Sequence, residues 1–211
     1  MNGEPLPASH GGPLRVIVPG IAGARSVKWL DQITVAQQES QNHYMQRDYK
    51  VLPPDAVDAE SAEKYWGITP PLMDMPCNSV VAVPSSEETV QLVEGKFEVR
   101  GYALPGGAQG PVVRVEISLD DGKTWREAEV VHPTSAGKWA WSLWRFNLTR
   151  DDVERDGKEV VDNTLQSKRR KITILSKATD KGGNTQEDCE WNLRGVAYNG
   201  YGEARDVLVE F

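Results

Sequence analysis

Beyond residue 75 the chain reads as short runs of alternating or β-branched residues, separated by turns. Seven such runs are residues 78–84 (NSVVAVP), 96–104 (KFEVRGYAL), 112–120 (VVRVEISLD), 126–132 (REAEVVH), 139–148 (WAWSLWRFNL), 170–180 (RKITILSKATD) and 204–211 (ARDVLVEF). A period of two marks a strand with one buried and one solvated face. Turns with glycine punctuate the runs at Pro105-Gly106-Gly107, Asp121-Gly122, Asp156-Gly157 and Gly182-Gly183. Short strands at this spacing, with no helical period between most of them, predict a mainly β fold, an immunoglobulin-like antiparallel β-sandwich. Asp120-Asp121-Gly122 is the clearest hairpin, because Asp-Gly suits positions that need positive φ. The Cys…Trp…Cys arrangement of antibody domains is absent, so the likeness is one of architecture. Residues 149–167 are polar and charged and read as a long exposed loop with at most one helical turn. Trp139, Trp141 and Trp144 are expected to pack the sandwich core. The basic run 168–171 is expected to guard a solvated sheet edge.

The first 73 residues have a different texture. Val16 to Val18 is β-branched and ends at Pro19-Gly20, which predicts a short buried strand. Ile33 to Val35 predicts another. Residues 37–50 are polar and irregular, Pro53-Pro54 breaks the chain, and 55–66 (DAVDAESAEKYW) holds helix-friendly residues. The pair Pro70-Pro71 closes this region, so the expected domains are 1–73 and 74–211.

The chain has 211 residues, 24 Lys+Arg and 31 Asp+Glu, for a formal net charge of -7. That length accommodates one large or two small domains with a proper core. The acidic balance argues against nucleic acid as a partner, and no apolar run approaches the roughly 18 residues of a membrane span. Two cysteines, Cys77 and Cys189, are too few for a secreted disulfide framework and read as buried or half-buried thiols. His43 and His132 stand without a partner at metal-ligand spacing, so neither is assigned a metal.

Positive charge is nevertheless gathered near the start. Arg15, Arg25 and Lys28 lie within a glycine-bearing stretch that also holds His10. Glycines let backbone N–H groups approach a ligand, and the cations suit a phosphate-bearing one. The same residues also describe a solvated basic loop. Tyr49, between Arg47-Asp48 and Lys50, reads as a half-buried tyrosine with a bonded hydroxyl. Arg194, between Leu193 and Gly195, reads as a surface charge near a strand. Its planar fork of donors also matches a small oxyanion.

The stretch 10–30, HGGPLRVIVPGIAGARSVKWL, resembles the segment of the sulfite oxidase and eukaryotic nitrate reductase family usually written HGFPVR…PG..GAR.VKWL. In the second half RVEISLDDGKTW, WAWSLW, ATDKGGNTQ and WNLRGV are similar to that family's sandwich-like dimerisation domain, so the resemblance runs from about residue 10 to about 200. It fades in the last strand, and Gly12 stands where the family usually has an aromatic, which is expected to loosen local packing. The resemblance implies the molybdenum-molybdopterin cofactor (Moco), with His10, Arg15, Ser26, Val27 and Lys28 as the pterin-binding positions. It also implies Tyr49 and Arg194 as residues of the substrate pocket. Both favour sulfite, because nitrate reductases usually carry asparagine and methionine at those places. The expected function is therefore a segment of a molybdenum oxidoreductase converting sulfite to sulfate by oxygen-atom transfer, with residues 1–73 the end of an α+β molybdopterin-binding domain and 74–211 a homodimerisation domain. Nitrate reduction and a non-catalytic dimerisation module are the alternatives. Neither Cys77 nor Cys189 has the surroundings of the family's metal-binding cysteine, which lies upstream of such a motif. The chain is accordingly expected to be the later part of a longer enzyme, intracellular, with the mitochondrial intermembrane space and the cytoplasm both open as compartments, and with any haem on a domain outside it.

Overall fold

The structure, a computed structural model, describes residues 3–132, 137–160, 169–189 and 191–211. The chain forms two compact units, Met1–Met75 with Glu190–Tyr198, and Pro76–Cys189 with Asn199–Phe211. The division is thus not a single cut near residue 73, because the segment carrying Arg194 returns to the first unit.

The second unit is the β-sandwich. Its strands are β1 (Asn78–Val83), β2 (Thr89–Gln91), β3 (Lys96–Leu104), β4 (Val112–Ser118), β5 (Arg126–Glu127), β6 (Glu129–Val131), β7 (Ser142–Thr149), β8 (Lys158–Glu159), β9 (Arg169–Asp180) and β10 (Gly202–Glu210). One sheet runs β1–β3–β7–β6 and the other β2–β10–β9–β4–β5, with β8 on β9. The period-two pattern decides which side chains face inward: on β7, Ser142, Trp144, Phe146 and Leu148 are buried while Leu143, Arg145 and Asn147 are exposed. Trp144 is registered opposite Gly101, where a Cβ would lie 2.2 Å from the indole, so the missing side chain makes room for the ring. Val99, Val115, Ile117, Leu148, Ile172, Ile174 and Val207 complete the core between the sheets. At the predicted hairpin Asp121 and Gly122 both hold positive φ, and Asp120 ties the turn with Thr124 N–H (2.9 Å) and Thr124 Oγ1–H (2.7 Å) donating to its carboxylate.

Several expectations are corrected here. All seven predicted runs contain strands, but 126–132 splits at buried Ala128 into β5 and β6, which belong to different sheets. The sandwich is antiparallel except for β2, which pairs parallel with β10. The polar stretch after Thr149 holds a helix, α2 (Arg150–Asp156), whose capping box has Asp152 N–H donating to the Thr149 hydroxyl and Thr149 N–H to the Asp152 carboxylate. Trp144 is core, but Trp141 is 57 % exposed and Trp139 is exposed too. They share the odd parity of outward Leu143, the parity opposite to that of Trp144. Arg169 to Lys171 do not lie on an edge, since β9 has β10 on one side and β4 and β8 on the other. Lys168 lies outside the described residues.

The first unit has little regular structure. Val16–Val18 and Ile33–Val35 are not strands, and Ile17, Ile33 and Val35 are exposed, Val35 at 95 %. A short β-branched run makes no strand where no neighbouring strand accepts the backbone hydrogen bonds. The helix-friendly run yields one short helix, α1 (Ala59–Ala62), with an Asp58–Ser61 capping box. A small cluster of Leu52, Ala56 and Ala62, with Tyr65, Trp66 and Leu193 against it, is its apolar centre. Among the described residues no helix is long and apolar enough to cross a membrane.

Candidate functional site

The site is built in the first unit, where residues 10–30 double back without forming a sheet. Val16 N–H donates to Val27 O (3.0 Å), Leu30 N–H to Leu14 O (2.9 Å) and Trp29 N–H to Gly11 O (3.1 Å). Gly12 does not loosen this loop. A Cβ there would lie 2.2 Å from the Leu6 carbonyl oxygen, so close backbone approach demands glycine.

The cations in this loop are anchored to backbone carbonyls. Lys28 Nζ donates to Ser9 O (2.9 Å) and Arg15 Nη1 to His10 O (3.1 Å). Arg25 spans farther, with Nη1 on Tyr44 O (3.2 Å) and Nη2 on Leu72 O (3.1 Å). Val18 N–H donates to Ser26 Oγ (3.3 Å). A neutral carbonyl fixes a cation's position without cancelling its charge, and each guanidinium keeps further donors. Arg15 Nε and Arg25 Nε are buried without a hydrogen-bond partner among the described residues. The two residues line a cleft of about 680 Å³ whose wall also includes Ser26, Val27 and Lys28. Buried donors left unpaired are costly unless a ligand meets them. The wall therefore fits an anionic group such as a cofactor phosphate. His10 is exposed and lends its carbonyl to Arg15 rather than a side chain to the cleft wall.

Arg194, far away in sequence, is brought to Asp48, the residue before Tyr49. Tyr44–Asp48 forms a single π-helical turn ending just before Tyr49. Arg194 Nη1 donates to Asp48 Oδ1 at 2.8 Å, and His43 Nε2 lies 3.3 Å from the same oxygen. The hydrogen bond from Arg194, against an opposing effect of burial, holds the Asp48 carboxyl below the usual range. Arg194 takes φ of 75°, a left-handed conformation that strains any residue with a Cβ. The loop is clamped around it, with Val196 N–H on Asn192 Oδ1 and Asn192 Nδ2 on Val196 O, both 3.0 Å. The Arg25 guanidinium lies 5.7 Å from the Tyr49 ring centre, linking the tyrosine to the cleft wall. Sequence patterning assigns no role to Asp48 and leaves His43 standing alone, whereas His43 lies against Asp48. The RDYK string placed Asp48 beside Tyr49, but only folding brings Arg194 to it.

Among the described residues no group of three His, Cys, Asp or Glu side chains is arranged to hold a metal. Burial, and then the nearby Asp180 charge, push the Cys77 thiol up to about 12, which suppresses the thiolate a metal needs. Cys189 is half-buried, its Sγ 3.9 Å from Asn199 Oδ1.

Residues 69–205 match the Mo-co oxidoreductase dimerisation domain, and residues 1–44 match the oxidoreductase molybdopterin binding domain. The chain belongs to the Mo-co oxidoreductase family. Within that family it is 43 % identical over 209 residues to the sulfite oxidase of Arabidopsis thaliana, covering 93 % of this chain and 47 % of the relative. The mitochondrial sulfite oxidase of Homo sapiens is 38 % identical over 208 residues, covering 95 % and 34 %. Nitrate reductase [NADH] 2 of Phaseolus vulgaris is 38 % identical over 210 residues, covering 94 % and 22 %. The chain thus spans half or less of the length of these relatives. The sulfane dehydrogenase SoxCD from Paracoccus pantotrophus shares the fold, with a TM-score of 0.66 over 97 % of this chain and 49 % of that one, at 21 % identity. The family match makes Moco the cofactor for which the cleft is to be considered, and the unpaired Arg15 and Arg25 donors suit its phosphate.

Proposed function

We propose that this chain is the later portion of a Moco enzyme that oxidises sulfite to sulfate. The observation supporting the reading is the Arg194–Asp48 contact, which holds a guanidinium on the residue preceding Tyr49, in the unit that also holds the cationic cleft. Arg15, Arg25, Ser26 and Lys28 grip the phosphate and polar edge of the pterin through charge-assisted hydrogen bonds, with Val27 and His10 shaping the same loop. When bound, the cofactor supplies the redox chemistry of oxygen-atom transfer. Arg194 spends one donor on Asp48, and its remaining donors face the substrate anion. The Tyr49 hydroxyl, which makes no hydrogen bond among the described residues, donates to the same anion. Their contribution is positioning and electrostatic stabilisation of a charged substrate. Exposed Ile17, Ile33 and Val35 are consistent with a first unit that packs against a further part of a longer enzyme. The second unit mediates homodimerisation.

The test is Arg194→Met in the complete enzyme. Removing a charged hydrogen-bond donor from the substrate is expected to raise the sulfite KM by about 10- to 100-fold. An unchanged KM rules the role out. Turnover of nitrate but not sulfite by the unaltered enzyme favours the nitrate reductase reading.

A further inference from the structure

The two outer faces of the sandwich differ in chemistry. Most outward side chains on the β10–β9–β4 face are charged and paired with one another, and exposed Val113 stands among them. Lys177 lies 3.6 Å and Arg114 3.3 Å from Glu116, Lys171 lies 3.5 Å from Asp206, and Arg169 pairs with Glu210. The β1–β3–β7–β6 face is apolar along one row. Val131 is registered with Leu143, and Leu143 with Tyr102, so three side chains stand abreast across three strands. Leu143 is 61 % exposed. Trp141 extends the row, its ring stacked on Tyr102 at 5.2 Å between centres and 11° between planes. The next outward row is charged in both signs, with Glu129 registered to Arg145 and Arg145 to Arg100. A shallow recess of about 480 Å³ lies over the two rows.

We propose that the β1–β3–β7–β6 face is where a second copy of this chain docks, about a two-fold axis, with the apolar row of each copy on that of the other. The inference rests on the homodimerisation reading and goes beyond it by choosing the sheet and the residues. A contiguous exposed apolar patch rimmed by polar residues marks an interaction surface. A two-fold contact brings a patch against itself, so each charged row must complement its own copy. This one carries both signs, Arg100 and Arg145 together with Glu129. Arg145 is already bidentate on Glu129 (2.9 and 2.7 Å), so that pair enters the contact with its bonds made. Burying the opposite face would desolvate a dense field of charges for little apolar gain. The strands of this sheet, of six, nine, eight and three residues, give a flat footprint on the order of 400 Å² at about 3.3 Å rise and about 4.8 Å spacing. A standard interface uses about 800 Å² of accessible surface per partner, so the exposed flanking turn with Trp139 and Trp141 joins the contact.

The test is sedimentation equilibrium of the 211-residue chain at several concentrations, alongside Leu143→Asp and Val113→Asp, the latter an exposed position on the opposite sheet. Circular dichroism confirms that each variant is folded. Leu143→Asp is expected to weaken the dimer at least about 30-fold, as for a central interface residue, and Val113→Asp to leave it unchanged. Iodide quenching of tryptophan fluorescence gives a second readout, expected to fall as the chain is concentrated and to stay high in Leu143→Asp. A dimer unaffected by Leu143→Asp, with quenching independent of concentration, overturns the choice of face and leaves homodimerisation standing. A chain that is monomeric throughout overturns both, and points to a further part of a longer enzyme as the occupant.

Discussion

The two units are held together by different means, and the difference follows what each must present. In the second unit, apolar side chains between two sheets exclude water, and few charges are needed inside. In the first, the buried apolar cluster is small, and arginines and a lysine brace the loops by reaching across to backbone carbonyls. An apolar core gives stability but offers nothing to an anion. A cation pinned on a carbonyl is fixed in place, stays charged, and keeps donors for a ligand. Lys50 follows the same rule: it is buried, with Nζ on Trp66 O at 2.6 Å.

The contrast can be broken at its strongest point by Trp144→Ala. Deleting a fully buried indole packed over Gly101 should cost the second unit about 3–5 kcal/mol, read as a lowered urea midpoint. A loss below about 1 kcal/mol would mean that the sandwich does not depend on its core. Arg25→Ala is the matching change in the first unit. It leaves two carbonyls, Tyr44 O and Leu72 O, without their donor, for an expected local loss of about 1–3 kcal/mol. Hydrogen exchange should quicken around residues 44–49 and 72, with the β-strands unaffected. Equal acceleration in both units would erase the distinction.

The smallest effect concerns pH. Burial alone would raise the Asp120 carboxyl, but hydrogen bonds from Thr124 and Ser118 outweigh it and hold the group at about 2. A folded pKa below the unfolded value of about 3.9 means stabilisation that is present above about pH 4 and lost as pH falls toward 2. The stability difference between the unaltered chain and Asp120→Asn should therefore shrink between pH 5 and pH 2.5. A constant difference over that range would show that the charge on Asp120 is not what the turn uses.

Much of the second unit was legible because its information is local. Period-two alternation, the Asp121-Gly122 turn and the overlooked Thr149-x-x-Asp152 cap are each written within a few residues. The same alternation carried the parity of Trp139 and Trp141, which turns them outward. In the first unit the loop 10–30 announced its cations, yet its short apolar runs were misread as strands, since a strand needs a partner that sequence alone does not name.

The amino-acid sequence by itself determined the sandwich, the cationic loop and the kinship of both, because alternation, turn chemistry and motif spacing are properties of neighbouring residues. Tertiary structure alone decided that Arg194 leaves the sandwich's sequence neighbourhood to meet Asp48, that Arg25 ties Tyr44 to Leu72, and that Val131, Leu143 and Tyr102 stand abreast on one sheet. Those facts depend on contacts between residues tens to more than a hundred positions apart. They are set by which chain segments pack together, and no local pattern encodes that choice.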